Sequence, residues 1–152
     1  MEAKNISKYK ILPEMELILQ VYRGQLLYSQ IKKMKSEVCN HVLYSPHFNF
    51  IIDIRDAELN LSREELIDYA NFVVKEIDPE VVVRVAVLSR TPDHVASTMV
   101  VQLNMKSKLV KYEAFSTVNA SLDWLGLAMT RFNTMALDAT ISNMKDEPIN
   151  QV

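Results

Sequence analysis

The chain has 152 residues, about half apolar (49%) and a quarter charged (24%), which suits one globular domain with a sizeable core rather than a disordered or fibrous chain. A formal charge of -2 argues against the basic excess that nucleic-acid binding needs. The single cysteine, Cys39, excludes an intrachain disulfide and suits a reducing compartment. The opening residues, Met1-Glu2-Ala3-Lys4-Asn5, do not lead into an apolar signal run. No stretch approaches the ~20 apolar residues of a membrane span. These features predict a cytoplasmic protein with no membrane span. With only 2 glycines, Gly-rich phosphate loops are absent.

Residues 9–12 are a short apolar run that stops at Pro13, and Pro13-Glu14-Met15-Glu16 reads as a turn. Residues 17–22 follow as a second strand, which predicts an antiparallel hairpin ended by Gly24. Residues 26–40 read as a helix whose inner stripe is Leu27, Ile31, Met34 and Val38. Lys32, Lys33 and Lys35 lie mostly off that stripe and predict a solvated face. Pro46 biases Ser45 to an extended backbone, so Tyr44-Ser45-Pro46-His47 is a loop.

The middle of the chain is the organising unit. Phe50 to Ile54 is a near-continuous run of β-formers and predicts a central strand. Asp53, Arg55, Asp56 and Glu58 crowd its C-terminal end, which leads into a short charged turn. Ser62 followed by Glu65 is a capping box that starts a helix from Arg63 to about Ile77, ahead of Pro79. Leu66, Ala70, Val73 and Ile77 form its buried stripe. Tyr69 and Phe72 read as lying off it, as exposed anchors or as packing against a neighbouring helix.

Residues 81–88 are the strongest strand in the chain, and Arg84 within it implies a nearby edge or charged partner. Thr91 as cap and Pro92 at the first helical position open a helix carrying Val95, Met99, Val100 and Leu103 on one side. Residues 111–115 are a last strand, and Ser116 or Thr117 caps a final helical stretch. Its apolar residues Val118, Leu122, Leu125, Met129, Phe132 and Ala136 continue past Gly126, where the helix either ends and restarts or runs through. Residues 146–152 read as a frayed tail. Three strand–helix alternations after an opening β-hairpin predict an α/β fold: a mixed, mostly parallel sheet of about five strands with flanking helices in one domain, 1–152.

The chemistry is sparse. Asp53, Asp56 and Glu58 sit where α/β sheets bind ligands and could hold Mg²⁺, but Arg55 offers a simpler salt-bridged partner. His41, His47 and His94 show no metal spacing. Cys39 reads as a small apolar filler, and no Gly-x-Ser-x-Gly elbow appears. With no nucleophile, base and oxyanion donor to assemble, the residues point to a protein that is not an enzyme and uses no metal or cofactor. Met99, Met105, Met129, Met135 and Met144 read as core or interface filler, and Trp124 as packing. Met129, Phe132 and Met135 could form an apolar ridge that covers the sheet or makes a homodimer.

The segments Phe50-Ile51-Ile52-Asp53-Ile54-Arg55-Asp56-Ala57, the Ser62 helix, Val87-Leu88-Ser89-Arg90-Thr91-Pro92 and Leu122-Asp123-Trp124-Leu125-Gly126 resemble the bacterial SpoIIAA-like, or STAS-like, domains. The resemblance covers residues 9–126; residues 127–145 are a helical extension outside it. It implies a noncatalytic regulatory module that binds an unidentified protein partner through the loop and helix after the central strand. The residues concerned would be Asp56, Glu58, Ser62, Glu65, Tyr69 and Phe72. It also implies a phosphorylation position at Ser62. Here, however, Leu61-Ser62-Arg63-Glu64 replaces the family's Asp-Ser-Ser-Gly, and Glu64 and Glu65 would repel a phosphate. The alternative is a carrier of a small apolar, lipid-like ligand between sheet and helices, by likeness of architecture to CRAL-TRIO domains.

Overall fold

The computed structural model describes residues 5–127 and 131–146, with the backbone alone for 131–133. Strand β1 (Ile6–Leu12) pairs antiparallel with β2 (Leu17–Leu27) around a 3-10 turn at Pro13–Met15. Strands β3 (Asn49–Asn60), β4 (Val83–Leu88) and β5 (Val110–Phe115) each add parallel to the strand before, so the sheet order is the chain order. Helices α1 (Tyr28–Cys39), α2 (Arg63–Glu76) and α3 (Pro92–Leu103) are the three crossovers. Right-handed crossovers that step the same way along a sheet all fall on one face. Accordingly Ile31, Met34, Leu66, Val73 and Val101 share one core with Ile18, Phe50, Ile52, Val85 and Val87.

That winding leaves the other face bare. Helices α4 (Val118–Leu125) and α5 (Arg131–Asp146) cover it, placing Leu122, Leu125, Leu137, Ile141 and Met144 against Leu17, Leu19, Ile51 and Leu88. The central strands are thus buried on both sides, which is why they read as unbroken apolar runs. Gly126 ends α4 in a left-handed conformation at φ 76°, so the final helical stretch stops and restarts. No helix among the described residues is long and apolar enough to cross a membrane.

Several boundaries differ from expectation. Strand β2 does not stop at Gly24 but passes through it to Leu27. The register with β3 shifts between Val21 and Arg23, and Gly24 takes φ 83° where an added Cβ would lie 2.1 Å from Asn5 Oδ1. The glycine therefore accommodates an irregularity instead of ending the strand. The first helix starts late as a result, and Leu27, expected on its inner stripe, is exposed. The side chain of Gln30 reaches back to accept the Leu27 N–H at 2.7 Å. Among the described residues Arg84 finds no charged partner: its guanidinium donates to the Trp124 carbonyl at 2.7 Å, at the carbonyl end of α4, and lies over the indole.

Lys35 is the largest departure. It was expected on the solvated face with Lys32 and Lys33, yet it is 1% exposed. It lies one turn beyond Ile31, inside the buried arc, and its Nζ sits 3.7 Å from the Phe50 ring centroid. That nitrogen has no hydrogen-bond partner among the described residues. Burial pushes its pKa down from 10.5 to about 8. The folded value lies below the unfolded one, so burial of the amine weakens the fold at every pH below about 8 and the penalty fades as pH rises toward 10.5. That gap corresponds to about 3 kcal/mol, part of which the ring contact offsets. Lys35→Met is expected to stabilise the protein by about 2 kcal/mol at neutral pH and to flatten the alkaline rise in stability. Urea unfolding measured across that pH range checks this, and a less stable variant would contradict it.

Candidate functional site: a charged cleft at the carboxyl end of the central strand

Strand β3 is much longer than its apolar run. The segment expected to be a charged turn, from Arg55 to Asn60, stays in the sheet by pairing with β2, from Arg23↔Asp56 to Leu27↔Asn60. Pairing with β4 ends at Asp53↔Leu88, where β4 turns off through Ser89 and Arg90 into α3. The second half of β3 therefore projects past β4. Beside it opens a cleft of about 970 Å³, lined by Arg23, Arg55, Asp56, Glu58, Arg90, His94, Asp138 and Lys145, among others.

One ion network fills the base of this cleft. The Asp53 carboxylate is 0% exposed. It accepts from Arg55 at three points, the backbone N–H at 3.0 Å, Nε at 3.1 Å and Nη2 at 3.0 Å. Lys145, in the last turn of α5, lies 2.9 Å from Asp53 and 2.6 Å from Asp56. Arg90 reaches the other Asp56 oxygen at 2.5 Å, and Arg23 donates to the Lys145 carbonyl at 3.3 Å. Burial alone would push the Asp53 carboxyl up, but the Arg55 and Lys145 contacts outweigh it and hold the group below the usual carboxylate range. Lys145 and Arg90 likewise lower Asp56 against a smaller burial effect. The two halves of the network differ in weight. Arg90 is 60% exposed, so its pair with Asp56 contributes under about 1 kcal/mol. Removing one member of the buried Asp53–Lys145 pair costs about 3 kcal/mol.

His94 lines the cleft, but its ring is committed to structure. Nδ1 accepts from the Arg90 backbone N–H at 3.1 Å, and Nε2 lies 2.9 Å from the Ala57 carbonyl, which calls for a proton on Nε2. The ring thereby staples the capped start of α3 to β3, with Thr91 Oγ1 accepting the His94 N–H at 3.2 Å. Neither nitrogen remains for proton transfer. Burial pushes the Cys39 thiol up, away from the thiolate that attack requires. Among the described residues no group of three His, Cys, Asp or Glu side chains is placed to hold a metal ion. The geometry gives the reason at Asp53: both of its oxygens already face cations.

The expected site residues do not all meet. Asp56 and Glu58 line the cleft, and Glu58 accepts from the Gln25 amide at 3.1 Å. Ser62 caps α2, accepting the Glu65 N–H at 3.1 Å while Glu65 accepts the Ser62 N–H at 2.9 Å. Tyr69 is no exposed anchor: it is 6% exposed in the core shared by α1–α3. Its position three residues after Leu66 and four before Val73 places it on the buried stripe, a periodicity visible in the sequence. Phe72 is half-buried, packed beside Tyr69 and under the Lys32 ammonium. Of the proposed ridge, Met135 is exposed, while Met129 and the Phe132 side chain lie outside the described residues. Arg90 and Lys145, which complete the cleft, carry no local signal in the sequence; only folding brings α5 to β3.

A second space, of about 70 Å³, lies between the sheet and α1–α3. Gln20, Tyr22, Ile52, Leu66, Tyr69 and Tyr112 help to line it, and Gln20 Nε2 is buried without a hydrogen-bond partner among the described residues.

No protein-family model and no curated protein matches the chain. The architecture does match a solved structure, that of an uncharacterised DUF3478-family protein with a SpoIIAA-like fold from Shewanella loihica PV-4. The TM-score is 0.54 at 18% identity, over 82% of this chain and 98% of that one. The chain has a SpoIIAA-like fold.

Two expectations follow for stability. Ser62→Ala removes the α2 cap and should destabilise the protein by about 1 kcal/mol in urea unfolding. Asp53→Asn should destabilise by about 3 kcal/mol at neutral pH, because Lys145 and Arg55 lose their buried partner. The Asp53 pKa is lowered on folding, so its contribution is present above the unfolded value of about 3.9 and is lost as pH falls through the folded one. The variant's stability should therefore fall less steeply with acid than the wild type's. Parallel acid limbs would contradict that.

Proposed function

We propose that the chain is a noncatalytic regulatory module that binds a protein partner at the charged cleft and the start of α2. The observation that carries this reading is an open cleft at whose base Asp53 and Asp56 are paired with Arg55, Arg90 and Lys145. Among the described residues those five charges are committed to one another. The surface does present an exposed Arg90, Glu58 and the acidic first turn of α2, Glu64 and Glu65, around a rigid floor. Charged rims of this kind steer and orient a partner more than they hold it. Tyr69 drops out of the contact surface, leaving Asp56, Glu58, Ser62 and Glu65, with Phe72 at its margin.

A second reading, a small-ligand carrier, draws support from the unpartnered Gln20 Nε2 beside the space between sheet and helices. Its size weighs against a lipid: about 70 Å³ holds a few waters, whereas ligand pockets run to roughly 300 Å³ or more.

The test begins with a photo-crosslinker at Glu58 in native cells, and a control one at Lys75 on the far end of α2. A partner captured only at Glu58 is then purified and titrated by calorimetry. Arg90→Gln is expected to weaken that binding about tenfold while costing no more than about 1 kcal/mol of stability. A chain that captures no partner, and that leaves its native cells carrying a discrete noncovalent ligand in native mass spectrometry, would overturn the module and put the carrier first.

A further inference from the structure

We propose that a second copy of this chain docks on the free edge of β5 and the outer face of α3, forming a two-fold dimer with a continuous sheet. Strand β5 ends the sheet, so among the described residues its outer backbone groups have no strand partner. The Tyr112 N–H points outward, away from β4, and the side-chain carbonyl of Gln102 accepts it. Lys111 and Glu113 flank Tyr112 and are exposed, on the face opposite the buried Tyr112 ring. In an antiparallel pair centred on Tyr112, Lys111 of one copy stands opposite Glu113 of the other, twice by symmetry. The edge is therefore charge-complementary to itself. The opposite edge of the sheet is not. In β1 Lys8 and Lys10 flank Tyr9, and the same symmetric pairing would set lysine against lysine.

Helix α3 supplies the second, independent half of the argument. Of its expected stripe, Val95, Met99 and Leu103 do not face the core and Val100 is half-buried against it; His94, Thr98 and Val101 face inward. Val95 is 41% exposed, Met99 56% and Leu103 80%. They recur every four residues, a ridge of the kind that packs into a like ridge on another helix. With Pro92, Tyr112 and Phe115 they line a groove of about 650 Å³ between α3 and β5, directly over the free edge. A two-fold axis perpendicular to the sheet puts both copies of α3 on the same face, antiparallel, with these ridges toward each other. The acidic start of one helix, at Asp93, then approaches the loop that follows the other, which carries Lys106. An unpaired edge beneath an apolar ridge is an aggregation hazard on a monomer, and a closed two-fold pair removes both. Gln102 holds the Tyr112 N–H until the second copy replaces it.

Sedimentation equilibrium of the full chain, from micromolar to submillimolar concentration, tests this. A reversible dimer is expected. Lys111→Glu and Glu113→Lys each place like charges opposite and should weaken it about tenfold. The double swap restores opposite charges and should restore the dimer. Met99→Asp should abolish it. All three positions are exposed, and thermal melting by circular dichroism confirms that each variant remains folded. A monomer at every concentration overturns the proposal. So does a double swap that fails to restore the dimer, or a dimer that ignores these changes and is broken by Met135→Asp.

Discussion

The Asp53 carboxylate is the constraint from which much of the molecule follows. It is a full charge on the central strand, out of water, between two apolar cores. An unpaired carboxylate there would be far too costly, so two cations have to reach it. Arg55 comes from the same strand, two residues on, and fixes the local backbone by bonding through both main chain and side chain. Lys145 comes from the last turn of the last helix. That second contact joins the end of the chain to its middle and sets where α5 ends.

The position of α5 matters because of how the sheet is wound. Crossovers that step in one direction pile all three helices on one face and leave Leu17, Leu19, Ile51 and Leu88 without cover. Helix α5 seals that face with Leu137, Ile141 and Met144, and Lys145, next in the chain, turns toward Asp53 and Asp56. Apolar packing supplies most of the attraction, and the buried ion pair fixes the register of the helix against the strand. The cleft is a by-product of the same arrangement: a strand that outruns its neighbour, walled by a helix end.

Sequence patterns carried the order of the elements well, because apolar periodicity and caps are local. Ser62 with Glu65, and Thr91 with Pro92, mark helix starts that the structure reproduces to the residue. Patterns failed where a residue's environment came from elsewhere. Glycine at position 24 reads as a stop, but the neighbouring β3 held the strand together across it. Charges from Arg55 to Glu58 read as a turn, yet pairing with β2 kept them extended. On α3 the polar His94 and Thr98 face inward because each finds its hydrogen bonds there, turning Val95, Met99 and Leu103 outward. Lys35 points inward with its Nζ against the Phe50 ring and, among the described residues, no hydrogen-bond partner, which no composition rule anticipates.

By itself the sequence determined an opening hairpin, three strand–helix crossovers, their caps and hence a mostly parallel α/β sheet, since each of these rests on contacts between residues close in the chain. It carried the likeness to SpoIIAA-like domains for the same reason. Tertiary structure alone decided which helix faces were buried, how far β2 and β3 extend, and which residues share the cleft. Those outcomes depend on Lys145 meeting Asp53 and on β5 remaining an edge, contacts and vacancies set by strands and helices far apart in the chain. Local pattern contains no term for them.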